Sequence, residues 1–144
     1  MSNNLIASGT PLYKVFRTNG RGANAAEGSS VLATQNPMVY KLASGTELTP
    51  QIAGTPVMVF LTKDDAEAFG LKHRPNGDYI VKKVLVWGDV VPTSKVLHLG
   101  QGGLWRNDAP GFWKAVKDGG WTGGYKTEEA SRGTAGVFGI CRIA

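Results

Sequence analysis

Apolar positions along this chain fall into short blocks, and the blocks predict strands. Tyr13-Lys14-Val15-Phe16, rich in aromatic and β-branched residues, predicts the first. Met38 to Leu42 predicts a second, short one. Val57 to Leu61 is an unbroken apolar run, the pattern of a central strand buried on both faces. Tyr79 to Trp87 predicts a long strand, with Lys82 and Lys83 divided between its two faces and so marking an exposed end. Val90-Val91-Pro92 and Lys95 to Leu99 continue the β pattern, and Gly136 to Ile143 predicts the last strand.

Two segments carry helix signals instead. Thr62 is an N-cap, Asp64, Asp65 and Glu67 sit where the helix dipole favours negative charge, and Ala66 and Phe69 form the inner stripe. Gly70 then reads as the stop. A second short helix is expected from Phe112 to Lys117, capped by Asp108, with Pro110 in its first turn and Gly119-Gly120 at its end.

The remainder is turn and loop. Residues 1–11 are small and polar and read as a flexible leader. Residues 18–37 form a long glycine- and serine-containing loop, a length that in a compact domain usually serves function. Gly100 to Asn107 and Trp121 to Tyr125 are glycine loops carrying aromatic rings. With no repeat and no linker, residues 12–144 read as a single α+β domain. Its expected architecture is a five- to six-stranded, mainly antiparallel sheet with two short helices and long glycine-rich loops.

Composition fits that picture. The chain has 144 residues and is 42% apolar, enough for a core, and its 20 glycines are about twice the usual share. Net charge is +5, and the excess is uneven. Residues 1–72 carry six cations and five anions, whereas residues 73–144 carry ten and six. A basic excess of this kind points to an anionic partner or serves solubility. The lone Cys141 excludes an internal disulfide and sits in an apolar run as a buried thiol. Met1 to Asn4 has no basic-then-apolar pattern, and no apolar run reaches membrane-spanning length. The expected location is therefore the cytoplasm, with no membrane partner.

Catalytic motifs are sparse. His73 and His98 lie 25 positions apart without a cysteine or carboxylate at ligand spacing, so no metal site is expected. No nucleophile elbow, P-loop or dinucleotide fingerprint is present. The better candidates are binding residues. The strand ending at Arg17 feeds a glycine loop with Arg21 and Asn24, a corner suited to anions. Arg74, Lys82 and Arg106 add charge, and Trp105, Trp121 and Tyr125 place rings in loops, where they can stack on a base or grip a partner. Glu128-Glu129 precede the last strand, where a carboxylate can act as a base or simply sit solvated.

Two resemblances bear on function. Tyr13-Lys14-Val15, Asn19-Gly20-Arg21, Asn24, Pro50 and Ile52-Ala53-Gly54, followed by a strand and an acidic helix, resemble small accessory proteins of bacteriophages and prophages over residues 12–92. That likeness implies a viral protein acting in the cytoplasm of a bacterial host. The strand order is also similar to ADP-ribosyltransferases, whose Leu-Tyr-Arg strand binds NAD and whose later glutamate is catalytic. Here Lys14 stands at the arginine's place, so Arg17 would have to substitute for it; Thr62 alone represents the middle motif, and Glu129 lacks the family's glutamate spacing. The leading expectation is thus a phage-type accessory protein without a cofactor that binds an anionic host component. That component is a nucleic-acid-binding host protein, nucleic acid or a nucleotide signal, and binding could inhibit a host defence or enzyme. An NAD-dependent ADP-ribosyltransferase or NAD glycohydrolase, using Arg17, Thr62 and Glu129, is the alternative. A virion structural or decoration protein is the third class, and a homo-oligomer is compatible with each.

Overall fold

The computed structural model describes residues 5–18, 25–31, 39–50, 52–97, 104–119 and 122–144. Strands dominate, as the apolar blocks require, and every strand pair among the described residues is antiparallel. In chain order the elements are β1 (Leu5–Arg17), β2 (Glu27–Ser30), β3 (Val39–Lys41), β4 (Glu47–Leu48), β5 (Val57–Phe60), α1 (Lys63–His73), β6 (Tyr79–Pro92), β7 (Lys95–Leu97), α2 (Leu104–Lys117), β8 (Thr127–Glu129) and β9 (Thr134–Ile143). The result is a single α+β domain, with a seven-stranded sheet and a separate β7–β8 ribbon. The α+β class, the mainly antiparallel sheet and the two helices are as expected, with seven strands in the main sheet among the described residues.

Four strands close into a ring. β1 pairs with β6 along most of its length, β6 with β9, β9 with β5, and β5 returns to β1 through one residue pair, Tyr13 with Phe60. β2 and β3 extend the sheet from β1 beyond Phe16, and β4 extends it from the far end of β9. The interior is filled by alternate residues: Leu12 and Phe16 from β1, Val84, Val86 and Val90 from β6, Val57 and Val59 from β5, Val137, Cys141 and Ile143 from β9. Burying this much aliphatic surface is the main stabilising term. On the outside, α1 packs Ala66 and Phe69 against Val15 and Phe60. α2 packs Ala109, Phe112 and Trp113 with Leu97, Met58 and Tyr125.

The backbones of β6 and β9 come close together at Gly88 and Gly139. These residues face each other across the β6–β9 ladder. Gly88 has φ of +131°, and a Cβ on Gly139 would lie 2.2 Å from the Trp87 carbonyl oxygen. Only glycine permits that backbone approach.

Several expectations are corrected. β1 begins at Leu5, so residues 5–11 are strand rather than leader, because they pair with β6 around a bulge between Ile6 and Thr10. Part of the presumed loop 18–37 is β2, held between β1 and β3. Gly70 does not end α1; it is buried mid-helix, where a Cβ would collide with the Tyr79 ring at 2.4 Å, and the helix continues to His73. Thr62 is indeed the cap, its hydroxyl accepting from the Asp65 amide at 3.1 Å. The second helix starts at Leu104, which puts Trp105, Arg106 and Asp108 inside it rather than in a loop or at its cap, and leaves Pro110 in its interior. Trp87 at the end of the predicted strand is half-buried, with the Arg142 guanidinium over its ring.

Candidate functional site

On its side away from β6, β1 is held by β5 at Tyr13 and by β2 from Phe16 onward. Lys14 and Val15 lie at the handover, where the sheet splits. β9 splits in the same way between β5 at Thr134–Val137 and β4 at Cys141 and Arg142. The split leads into a cavity of about 300 Å³ that runs along β5. All four β5 residues line it, with Phe69, Lys72 and His73 from α1 at one end and Ala109 and Trp113 from α2 at the other. The β7–β8 ribbon roofs it through Val96, Leu97, Glu128 and Glu129. Lys72, Glu128 and Glu129 are exposed and mark its mouth. A mostly apolar hollow of this size with a few converging polar groups has the character of a small-molecule site.

Lys14 is the chemically unusual wall residue. It alternates with Leu12 and Phe16, so strand geometry turns it toward the apolar interior, where it is 6% exposed. Its ammonium donates to the Met58 carbonyl at 2.9 Å and lies 5.7 Å from the Phe16 ring centre. Among the described residues no carboxylate forms an ion pair with it. Burial therefore lowers its pKa to about 8, the Cys141 sulfur acting weakly the other way. The same burial raises the Cys141 thiol to about 11, so the thiol stays protonated. Tyr40 also lines the cavity; its hydroxyl donates to the Thr49 carbonyl, and burial raises its pKa.

Lys72, His73, Glu128 and Glu129 come together at the mouth. His73 stacks on Phe69 at 4.4 Å between ring centres. Its pKa is lowered by burial and by neighbouring Lys72, against an opposing pull from Glu128. Glu128 and Glu129 belong to β8 rather than to a loop, and both are exposed. A neutral His73 beside carboxylates can pass a proton at the mouth.

Of the described residues expected from sequence to form a site, Glu128 and Glu129 line this cavity. Thr62 is spent on capping α1. Arg17 is half-buried in β1, and its Nε has no hydrogen-bond partner among the described residues. Arg74 forms a hydrogen-bonded ion pair with buried Asp78, so it anchors the turn before β6 instead of offering itself to a partner. Lys82 sits on β6 opposite Lys14 in the ladder, half-buried. Tyr125 packs edge-on against Phe112 and serves the core under α2. Trp105 and Arg106 belong to the first turn of α2. Arg21, Asn24, Trp121 and His98 lie outside the described residues.

The basic excess is also partly spoken for. Lys114, Lys117, Arg132 and Arg142 face Asp118, Asp89, Asp65 and Glu47 respectively. Such exposed pairs add little stability, but they reduce the free positive field. Lys14 itself was missed as a binding residue. Its signal is a lysine at the buried register of an apolar strand, Leu12-x-Lys14-x-Phe16.

Among the described residues no helix is long and apolar enough to cross a membrane, and no His/Cys/Asp/Glu cluster could hold a metal. Comparison with family models, with curated proteins and with solved structures finds no match to this chain.

Proposed function

We propose that this protein is a small-ligand binder, a phage-type accessory protein acting in the cytoplasm of a bacterial host, whose cavity along β5 takes an anionic compound. The carrying observation is Lys14, a buried ammonium on the cavity wall with one hydrogen bond and no carboxylate partner among the described residues. An unpaired buried charge is costly, so a ligand oxyanion that reached Lys14 would recover that cost. Phe60, Phe69 and Trp113 offer aromatic walls to the body of such a ligand. Of the anionic partners considered, the nucleotide-sized one fits a hollow of about 300 Å³, and a polymer does not.

The test exposes the protein to a whole bacterial lysate and reads bound mass, small and macromolecular, by native mass spectrometry. An anionic compound should be retained by the wild type. Lys14→Met should retain it at least about tenfold more weakly, equal to roughly 1.4 kcal/mol. Retention of nucleic acid or protein with nothing small bound would sink this reading.

The enzymatic alternative has one observation in its favour: Glu129 and Lys14, which stands where the resemblance expects an NAD-binding arginine, line one cavity. On that reading NAD added to the protein releases nicotinamide, and Glu129→Gln stops the release with the fold intact, since Glu129 is exposed. NAD left untouched over hours by protein and host lysate together rules it out.

A further inference from the structure

Lys14 is an amine as well as a cation. Lys14 lines the cavity together with Val57 and Val59, and among the described residues its Nζ makes one hydrogen bond, to the Met58 carbonyl. Two buried hydroxyls that also line the cavity are already engaged, Tyr40 with the Thr49 carbonyl and Thr134 with the Ser131 carbonyl. We propose that Lys14 captures small carbonyl compounds, aldehydes or ketones with an apolar or aromatic body, and holds them as an imine.

The step balances without an oxidant or reductant. The lone pair of neutral Nζ adds to the carbonyl carbon, and the π electrons move to oxygen. The two protons of the amine then leave with that oxygen as water, and nitrogen and carbon are joined by a double bond. The apolar wall favours the neutral amine that this attack needs and keeps out the water that would reverse it. With its pKa lowered to about 8, about a tenth of Lys14 is free amine at pH 7. An ordinary lysine offers about one part in 3,000, so the reactive share rises about 300-fold.

This inference rests on the reading that the cavity admits a small ligand, and the experiment separates the two. The full chain is incubated at pH 7 with para-formylbenzoate and sodium cyanoborohydride, which reduces imines to stable amines. Peptide mass spectrometry then compares labelling of Lys14 with labelling of Lys63, an exposed lysine on α1. In parallel, the non-carbonyl analogue para-(hydroxymethyl)benzoate is followed by its shift of the Met58 signals in NMR spectra. Lys14 should be labelled at least about thirtyfold faster than Lys63, and Lys14→Arg should lose the adduct at that position. Alcohol binding with Lys14 labelled no faster than Lys63 would overturn the imine and spare the ligand reading. Neither binding nor selective labelling would overturn both. The comparison is made within the wild-type protein, so it stands even where Lys14→Arg fails to fold.

Discussion

Lys14→Met should melt higher than the wild type at pH 7 and lower than it near pH 10.5. At pH 7 the wild-type lysine is charged in both the folded and the unfolded chain. The folded state carries the charge in an apolar interior, which is why burial brings its pKa from 10.5 to about 8. That gap corresponds to about 3 kcal/mol of destabilisation, present in full below pH 8. As pH rises from 8 to 10.5 the folded protein has already released the proton and the unfolded chain has not, so wild-type stability climbs across this window. Above 10.5 the penalty is gone. Methionine has similar length and no charge, but it leaves the Met58 carbonyl without its donor, at about 1 kcal/mol. The variant should therefore gain about 2 kcal/mol at pH 7, or roughly 6 °C for a chain of this size, and lose about 1 kcal/mol at pH 10.5. Titration of Cys141 is common to both proteins and largely drops out of the difference. A melting difference that stays constant from pH 7 to 10.5 would mean that Lys14 titrates like an exposed lysine. A residue whose removal stabilises the fold is one that function retains.

Gly139→Ala should cost about 3 kcal/mol or more, measured as a lowered denaturant midpoint. The added methyl would meet the Trp87 carbonyl oxygen at 2.2 Å and the Gly88 Cα at 3.0 Å. Both are backbone atoms of the paired strand, so no side-chain rotation relieves the clash; the β6–β9 ladder must part at this pair. Gly45→Ala is the control. Gly45 has φ of +88° and nothing within 4 Å, so it exposes the backbone term alone, about 1 kcal/mol. Equal losses at the two positions would show that the close approach between β6 and β9 carries no special weight.

The sequence made the strands legible wherever burial was one-sided or complete. Val57 to Phe60 and the stretch from Thr134 to Ile143 follow their apolar runs closely. The cap of α1 was legible because Thr62 and Asp65 are local partners. What stayed hidden depended on distant chain. Residues 5–11 look like a tail until β6 supplies their pairing, and Gly70 looks like a stop until the Tyr79 ring claims its missing side chain. The aromatic loop before Asp108 joins a helix whose apolar face, Ala109, Phe112 and Trp113, finds its partners in Met58 and Leu97. The candidate site was nearly opaque for the same reason. Charge and exposed rings drew attention to Arg74 and Tyr125, which the fold uses on itself through Asp78 and Phe112. Lys14 carried its signal in register rather than in composition.

The ring of strands also sets an order of events during synthesis. β9 comes last among the ring strands, yet β4, β5 and β6 all wait for it: Glu47 for Arg142, Val57 for Val137, Val86 for Cys141. A nascent chain that has emerged only as far as α2 can zip β1 to β6 but must leave the apolar β5 without its principal partner. Such an edge is a template for unwanted pairing with other chains. Closure between segments so far apart places folding among the slower, milliseconds-to-seconds class. Val57–Phe60 thus lacks its principal partner until β9 has been made.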